Sequence, residues 1–250
     1  MLPHWIMYLI LFSSGIIAGF VNILAGAGSA LTLPILIFSG LTPAVANGTN
    51  RIGILFENVL ASHKFVRAGV VQPSFALRLA LWALPGAVIG AWSSIHVGSF
   101  WFQRILVIIL GFSAITLYLP IRPSKQVIDL IENKSIAIYP IMVLLGFYGG
   151  FIQAGIGFLF IFFLRWTLRI NLAAINGLKT TIISAYTVPV LIIFVMQGNI
   201  AWVSGLFVAA GGIFGAYFSS KITLSSHGEF WIKIMVTFVI LVMGIKLWYF

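Results

Sequence analysis

The chain has 250 residues, 61% of them hydrophobic and only 7% charged, against roughly a quarter charged in a soluble domain. Its formal net charge is +10, but the basic residues are scattered over short loops without the interleaved aromatics that single-strand binders use. They read as topology signals and lipid-headgroup contacts, not as a nucleic-acid surface. The absence of cysteine excludes disulfides, thiolate metal sites and thiol nucleophiles.

Apolar segments recur at roughly 5–24, 29–39, 44–62, 73–96, 100–119, 139–153, 156–168, 172–196, 200–220 and 230–249. They do not alternate as barrel strands would, so the expected class is an all-α polytopic membrane protein. Met1 to Pro3 carries no basic n-region and the first apolar run continues past Phe20, which reads as a retained first segment. The second and seventh segments are too short to span alone. Each follows a glycine break, GAGSA at 26–30 and GIGFL at 155–159, so a bent or re-entrant helix pair is expected in each half. The hydrophilic stretch Pro120 to Ser135 divides the chain. The expected organisation is a first transmembrane repeat over 1–119, a cytoplasmic surface linker over 120–138 and a second repeat over 139–250.

The halves match each other. A shift of 129 places Gly26 and Gly28 on Gly155 and Gly157, Asn47-Gly48 on Asn176-Gly177, and Gly69 on Gly198. Internal duplication of this kind is common in secondary transporters. With four simple spans per half, Lys64, Arg67, Arg78, Arg122, Lys125 and Lys134 would oppose Arg104, Arg165, Arg169, Lys221 and Lys233, without bias. With re-entrant pairs at 5–39 and 139–168, each half crosses three times and the second is inverted. All of these residues except Arg104 then share one side, as the positive-inside rule demands. The expectation is two inverted repeats, each a broken or re-entrant helix pair plus three spanning helices, with both termini outside.

The stretch Ala46 to Asn58 carries Asn47, Asn50, Arg51, Glu57 and Asn58 inside an apolar run. At about 100° per residue these side chains fall within a helical arc of roughly 120°. An ionised group at membrane depth is costly, so Arg51 must face protein, water or an anion. Two structural alternatives are neutralisation by Glu57 and snorkelling to the interface. The second half repeats the arc with Asn176, Lys179, Thr180, Tyr186 and Thr187. Each half thus presents one cation at a matching depth. Glu57 offers a countercharge to Arg51, and the sequence shows none beside Lys179, which points to an anion held between the two cations. The glycine breaks would add helix N-terminal N–H donors, or would merely let helices pack closely. Asn22 and Gln153, just before the breaks, are further candidates. Histidines without carboxylates at ligand spacing give no metal site, and no Ser-His-Asp set or cofactor motif is visible, so an enzyme is not expected.

These features together resemble the sulfite exporter family of the TauE/SafE type. The resemblance rests on GF-x-N-x-L-A-G-A-G at Gly19 to Gly28, Pro34, ANGTNR at Ala46 to Arg51, GGFIQAGIG from Gly149 and NGLKT from Asn176. It implies a transporter of the bacterial inner membrane that exports or exchanges sulfite, sulfonates or related small organic anions. The expected binding residues are Asn22, Gly26, Gly28, Asn47, Asn50, Arg51, Gln153, Gly155, Gly157, Asn176, Lys179 and Thr180, with Glu57 for proton coupling. An anion channel or a non-transporting membrane scaffold are the alternatives. The expected partners are a small anionic substrate and membrane lipid, and a homodimer is one arrangement compatible with the chain.

Overall fold

The computed structural model describes residues 3–98, 101, 104, 136–168, 170–227, 230 and 231. Among them are eight helices and no strand: α1 His4–Ala25, α2 Ser29–Phe38, α3 Pro43–Arg67, α4 Pro73–His96, α5 Ile138–Phe151, α6 Ile156–Leu168, α7 Leu172–Met196 and α8 Trp202–Thr223. They match the expected segments one for one, with ends moved by a few residues. The spans expected at 100–119 and 230–249, and nearly all of the linker at 120–138, lie outside the described residues.

Among the described residues, four helices are long and apolar enough to cross a bilayer: α1, α4, α7 and α8. The 25-residue α3 has the length but carries Arg51, Glu57, Lys64 and Arg67. It runs past the apolar segment because Ser62 to Arg67 keep a helical backbone after hydropathy fails. The ten-residue α2 is about 15 Å long, half a hydrocarbon core.

Local chemistry sets the ends, and it repeats at the spacing of the duplication. Thr42 caps α3 by accepting the N–H of Val45 at 3.4 Å, and Asn171 caps α7 by accepting that of Ala174 at 2.8 Å. Both leave a helix-start donor satisfied. Gly26 closes α1 in the left-handed region at φ 83° and returns its N–H to the Val21 carbonyl, a conformation that a side chain would oppose. Its counterpart Gly155 has φ 72°.

Contacts fix the helix directions. Gly15 meets Val208, Gly211 and Gly212, while the Ser219 hydroxyl donates to the Phe20 carbonyl at 2.7 Å, so α1 and α8 run side by side in one direction. Gly86 meets Val143 and Phe147, and Gly90 meets Phe147 and Phe151, so α4 and α5 are likewise parallel. These small residues let the backbones approach closely. Thr49 accepts the N–H of Ala201 at 2.9 Å and Lys64 donates to the Tyr217 carbonyl at 3.0 Å, which sets α3 parallel to α8. In contrast, Gly48 meets Phe194 and Asn199 whereas Gly177 meets Phe65 and Val71, and the Ser62 and Thr181 hydroxyls share a hydrogen bond of 2.7 Å. Hence α3 and α7 are antiparallel. Gly28 packs back on Ala18 and Asn22, and Leu33 and Leu36 join Leu11 in one cluster, so α2 doubles back along α1. The main core draws on both halves, from Ile23 and Phe65 to Phe160 and Phe194.

Candidate functional site

The ends of α1 and α5 are interrupted by the glycine breaks, so their last carbonyls have no partner within the helix. Side chains of the other half supply it. Arg51, fully buried at 0% exposure, donates through Nη1 to the Gly149 carbonyl at 3.0 Å and to Gln153 Oε1 at 2.6 Å. Through Nη2 it donates to the Gly150 carbonyl, and to Asn47 Oδ1 at 3.5 Å. Asn47 Nδ2 donates to the Phe151 carbonyl at 2.8 Å. The Phe194 ring lies 4.9 Å from the guanidinium carbon. A cation thus sits at the negative end of the α5 dipole.

The other half repeats the arrangement. Lys179, 1% exposed, donates to the carbonyls of Asn22 at 3.0 Å and Ile23 at 3.1 Å, and Asn176 Nδ2 donates to that of Leu24 at 3.3 Å. These are the last carbonyls of α1. In each half, one asparagine and one cation cap the broken helix of the opposite half.

This geometry corrects two expectations. Arg51 and Lys179 do not face each other across one gap; each is turned to a different helix end. Glu57 does not accompany Arg51. Asn22 Nδ2 donates to its Oε1 at 2.6 Å, and the carboxylate lies within electrostatic range of Lys179. Lys179 is therefore linked to a carboxylate through Asn22, a connection that the sequence did not reveal. At Arg51 the corresponding residue of the second half is the phenol Tyr186, buried beside Gly149, whose carbonyl Arg51 holds.

The remaining candidates divide. Asn50 Oδ1 accepts the Thr32 hydroxyl at 2.5 Å, leaving its buried Nδ2 without a partner. Thr180 spends its hydroxyl on the Gly177 carbonyl at 3.0 Å, within its own helix. Gly157 donates its N–H to the Gly26 carbonyl at 3.2 Å, so the two breaks dock on each other. Gly28 and Gly155 support the same turns, and Gln153 adopts φ 64°, which turns its side chain to Arg51.

A small pocket lies beside Glu57, lined among others by Gly28, Thr32, Asn50, Gly53 and Gly212. It has room for a water-sized group and little more. Neither Arg51 nor Lys179 lines it. Thr32, Phe194, Gly212 and the carbonyls of Gly149 and Gly150 escaped the sequence reading. The Gly149-Gly150 and Gly211-Gly212 pairs were the available signal, since paired glycines mark close approach.

The family model described as sulfite exporter TauE/SafE matches residues 11–247. The chain belongs to this family. Among its relatives is "Probable membrane transporter protein ORF9" of Sinorhizobium sp, 28% identical over 244 residues that cover 95% of this chain and 90% of the relative. A "Probable membrane transporter protein" of Haemophilus influenzae is 27% identical over 242 residues, 96% of this chain and 94% of its own length. The Escherichia coli K12 protein "Probable membrane transporter protein YfcA" is 27% identical over 246 residues, covering 96% and 89%. These names are those of membrane transporters and not of enzymes. No solved structure matches at a comparable standard. Family and apolar helices together make this TauE/SafE member a multi-pass membrane transporter.

Proposed function

We propose that the chain is a secondary transporter that exports or exchanges a small anion, such as sulfite, an organosulfonate or a related organic anion, by alternating access in the bacterial inner membrane. The observation that carries this reading is the charge at the buried centre. Among the described residues, Arg51 and Lys179 stand there against one carboxylate, that of Glu57, all at most 5% exposed, which leaves one positive charge uncompensated. Main-chain carbonyls hold the cations in the present state. An anionic oxygen is a stronger acceptor for a charged donor than an amide carbonyl, so a substrate can displace them. Asn47, Asn50 and Asn176 offer further donors, and Glu57 serves proton coupling.

The halves act as inverted repeats. The antiparallel course of α3 and α7, the return of α2 along α1, and the matching caps at Thr42 and Asn171 support this arrangement. So does the charge pattern: Lys64, Arg67 and Lys221 fall in last turns at one end of the parallel α3 and α8, as the cytoplasmic side requires.

Purified protein in liposomes, given a gradient of sulfite or sulfoacetate, tests the site. Arg51→Ala and Lys179→Ala should each abolish uptake, and wild-type rates in both would remove the assignment. A second reading, a non-transporting scaffold, draws on the carbonyl caps, which satisfy both cations internally. It requires that no such anion stabilise the purified protein against heat, because specific binding must stabilise the folded state.

A further inference from the structure

One residue joins the buried carboxylate to the buried ammonium of the opposite half. Asn22 gives its side-chain N–H to Glu57 at 2.6 Å and its main-chain carbonyl to Lys179 at 3.0 Å. Among the described residues the other groups around Glu57 are uncharged: Ala18 from α1, Gly28 just before α2 and Thr32 within it, Asn50 from its own helix, and Gly212 from α8, whose added Cβ would lie 3.3 Å from Oε2. Lys179 from α7 is, among the described residues, the charged group in range. Arg51, on the same helix as Glu57, is turned to α5.

We propose that Glu57 and Lys179 make a proton and an anion co-passengers: Lys179 accepts a monoanion when Glu57 carries a proton, and both cross in the same direction. This rests on the transport reading above. While Glu57 is ionised, Lys179 is already compensated, and a second negative charge beside the carboxylate is repelled in a water-poor interior. Protonation forms an O–H bond at a carboxylate oxygen, removes that charge and leaves Lys179 as an open cation. When the anion leaves, the proton leaves with it and the pair recombines.

The pocket can place a water beside Glu57 as the proton donor or acceptor. Glu57 lines it, and the unpartnered Nδ2 of Asn50 belongs to another lining residue and can donate to a water there. Asn22 and Lys179 are absent from its lining. Proton–anion exchange would need the reverse linkage, in which each ligand expels the other. Loss of the carboxylate's negative charge beside Lys179 gives the sign that favours joint binding.

The test uses the full chain in liposomes with a trapped pH indicator and an inward methanesulfonate gradient. Methanesulfonate keeps its charge at every pH used, so any moving proton rides on the protein. The expected result is acidification of the lumen with uptake, lost in Glu57→Gln. In detergent, the wild-type affinity for methanesulfonate read by thermal shift should weaken by up to about tenfold per pH unit as one proton is lost, with a flat profile in Glu57→Gln. Uptake that leaves the lumen pH unchanged or raises it overturns the coupling, as does a wild-type affinity independent of pH. The wild-type titration decides the matter even if Glu57→Gln does not fold. Absence of both uptake and stabilisation with methanesulfonate, sulfite and sulfoacetate overturns the transport reading, and the coupling with it.

Discussion

Gly26 and Gly157, the glycines of the two chain breaks, touch back to back: the carbonyl of one accepts the amide of the other at 3.2 Å. A methyl group on either would strike the other's backbone. The seam between the halves is therefore made of main chain, with no side chain able to yield.

Gly157→Ala should lower stability by about 1–3 kcal/mol, the usual cost of overpacking a tight site, and Gly26→Ala by more, because its φ of 83° adds left-handed strain. Gly69 is the control. It has φ 73° and open space around it, so Gly69→Ala should cost only about 1–2 kcal/mol of strain. Thermal unfolding in detergent, followed by tryptophan fluorescence, ranks the three; Gly69→Ala as the most damaging would refute the seam.

Asn47→Ala leaves the Phe151 carbonyl without its 2.8 Å partner. An unsatisfied buried acceptor costs about 1–3 kcal/mol, and Asn47→Ala should show a loss of that size in the same assay. Asn176→Ala breaks a longer bond of 3.3 Å and should lose less. Equal losses would mean that the two caps are energetically equivalent.

Gly212→Ala puts a methyl group 3.3 Å from Glu57 Oε2, in a pocket that holds little more than a water. The variant should fold with a small change in melting temperature, yet slow anion uptake several-fold. An unchanged rate would show that the pocket is idle.

The course of the chain can be read from outside. With no native cysteine, single cysteines at Ser39 and Gln197 should be labelled from one side of the membrane, and those at Ala68 and Ser225 from the other. Labelling of Ser39 and Ala68 from the same side would reject the inverted arrangement.

Much of this was legible in the sequence. Hydropathy located α1 to α8 because caps, prolines and glycines near many of their ends also interrupt the apolar runs, though α3 continues past its own. The shared shift revealed the equivalence of α3 and α7, and the polar arcs revealed which faces are buried. The partners of those faces were not legible. Arg51 and Lys179 bond mainly to carbonyls, which every residue possesses and no residue type announces. Glu57 meets Lys179 through Asn22 across the two halves, and no periodicity within α3 points there. Thr180 was expected to donate outward, but a threonine inside a helix bonds readily to its own preceding turn.

The pairing of α1 with α8 and of α5 with α4 bears on biogenesis. Each glycine-lined face is completed only by a helix made in the other half of translation. A nascent chain that has inserted α1 to α4 therefore waits with two unfinished seams open to lipid, and a polypeptide released at that point would be a target for membrane quality-control proteases.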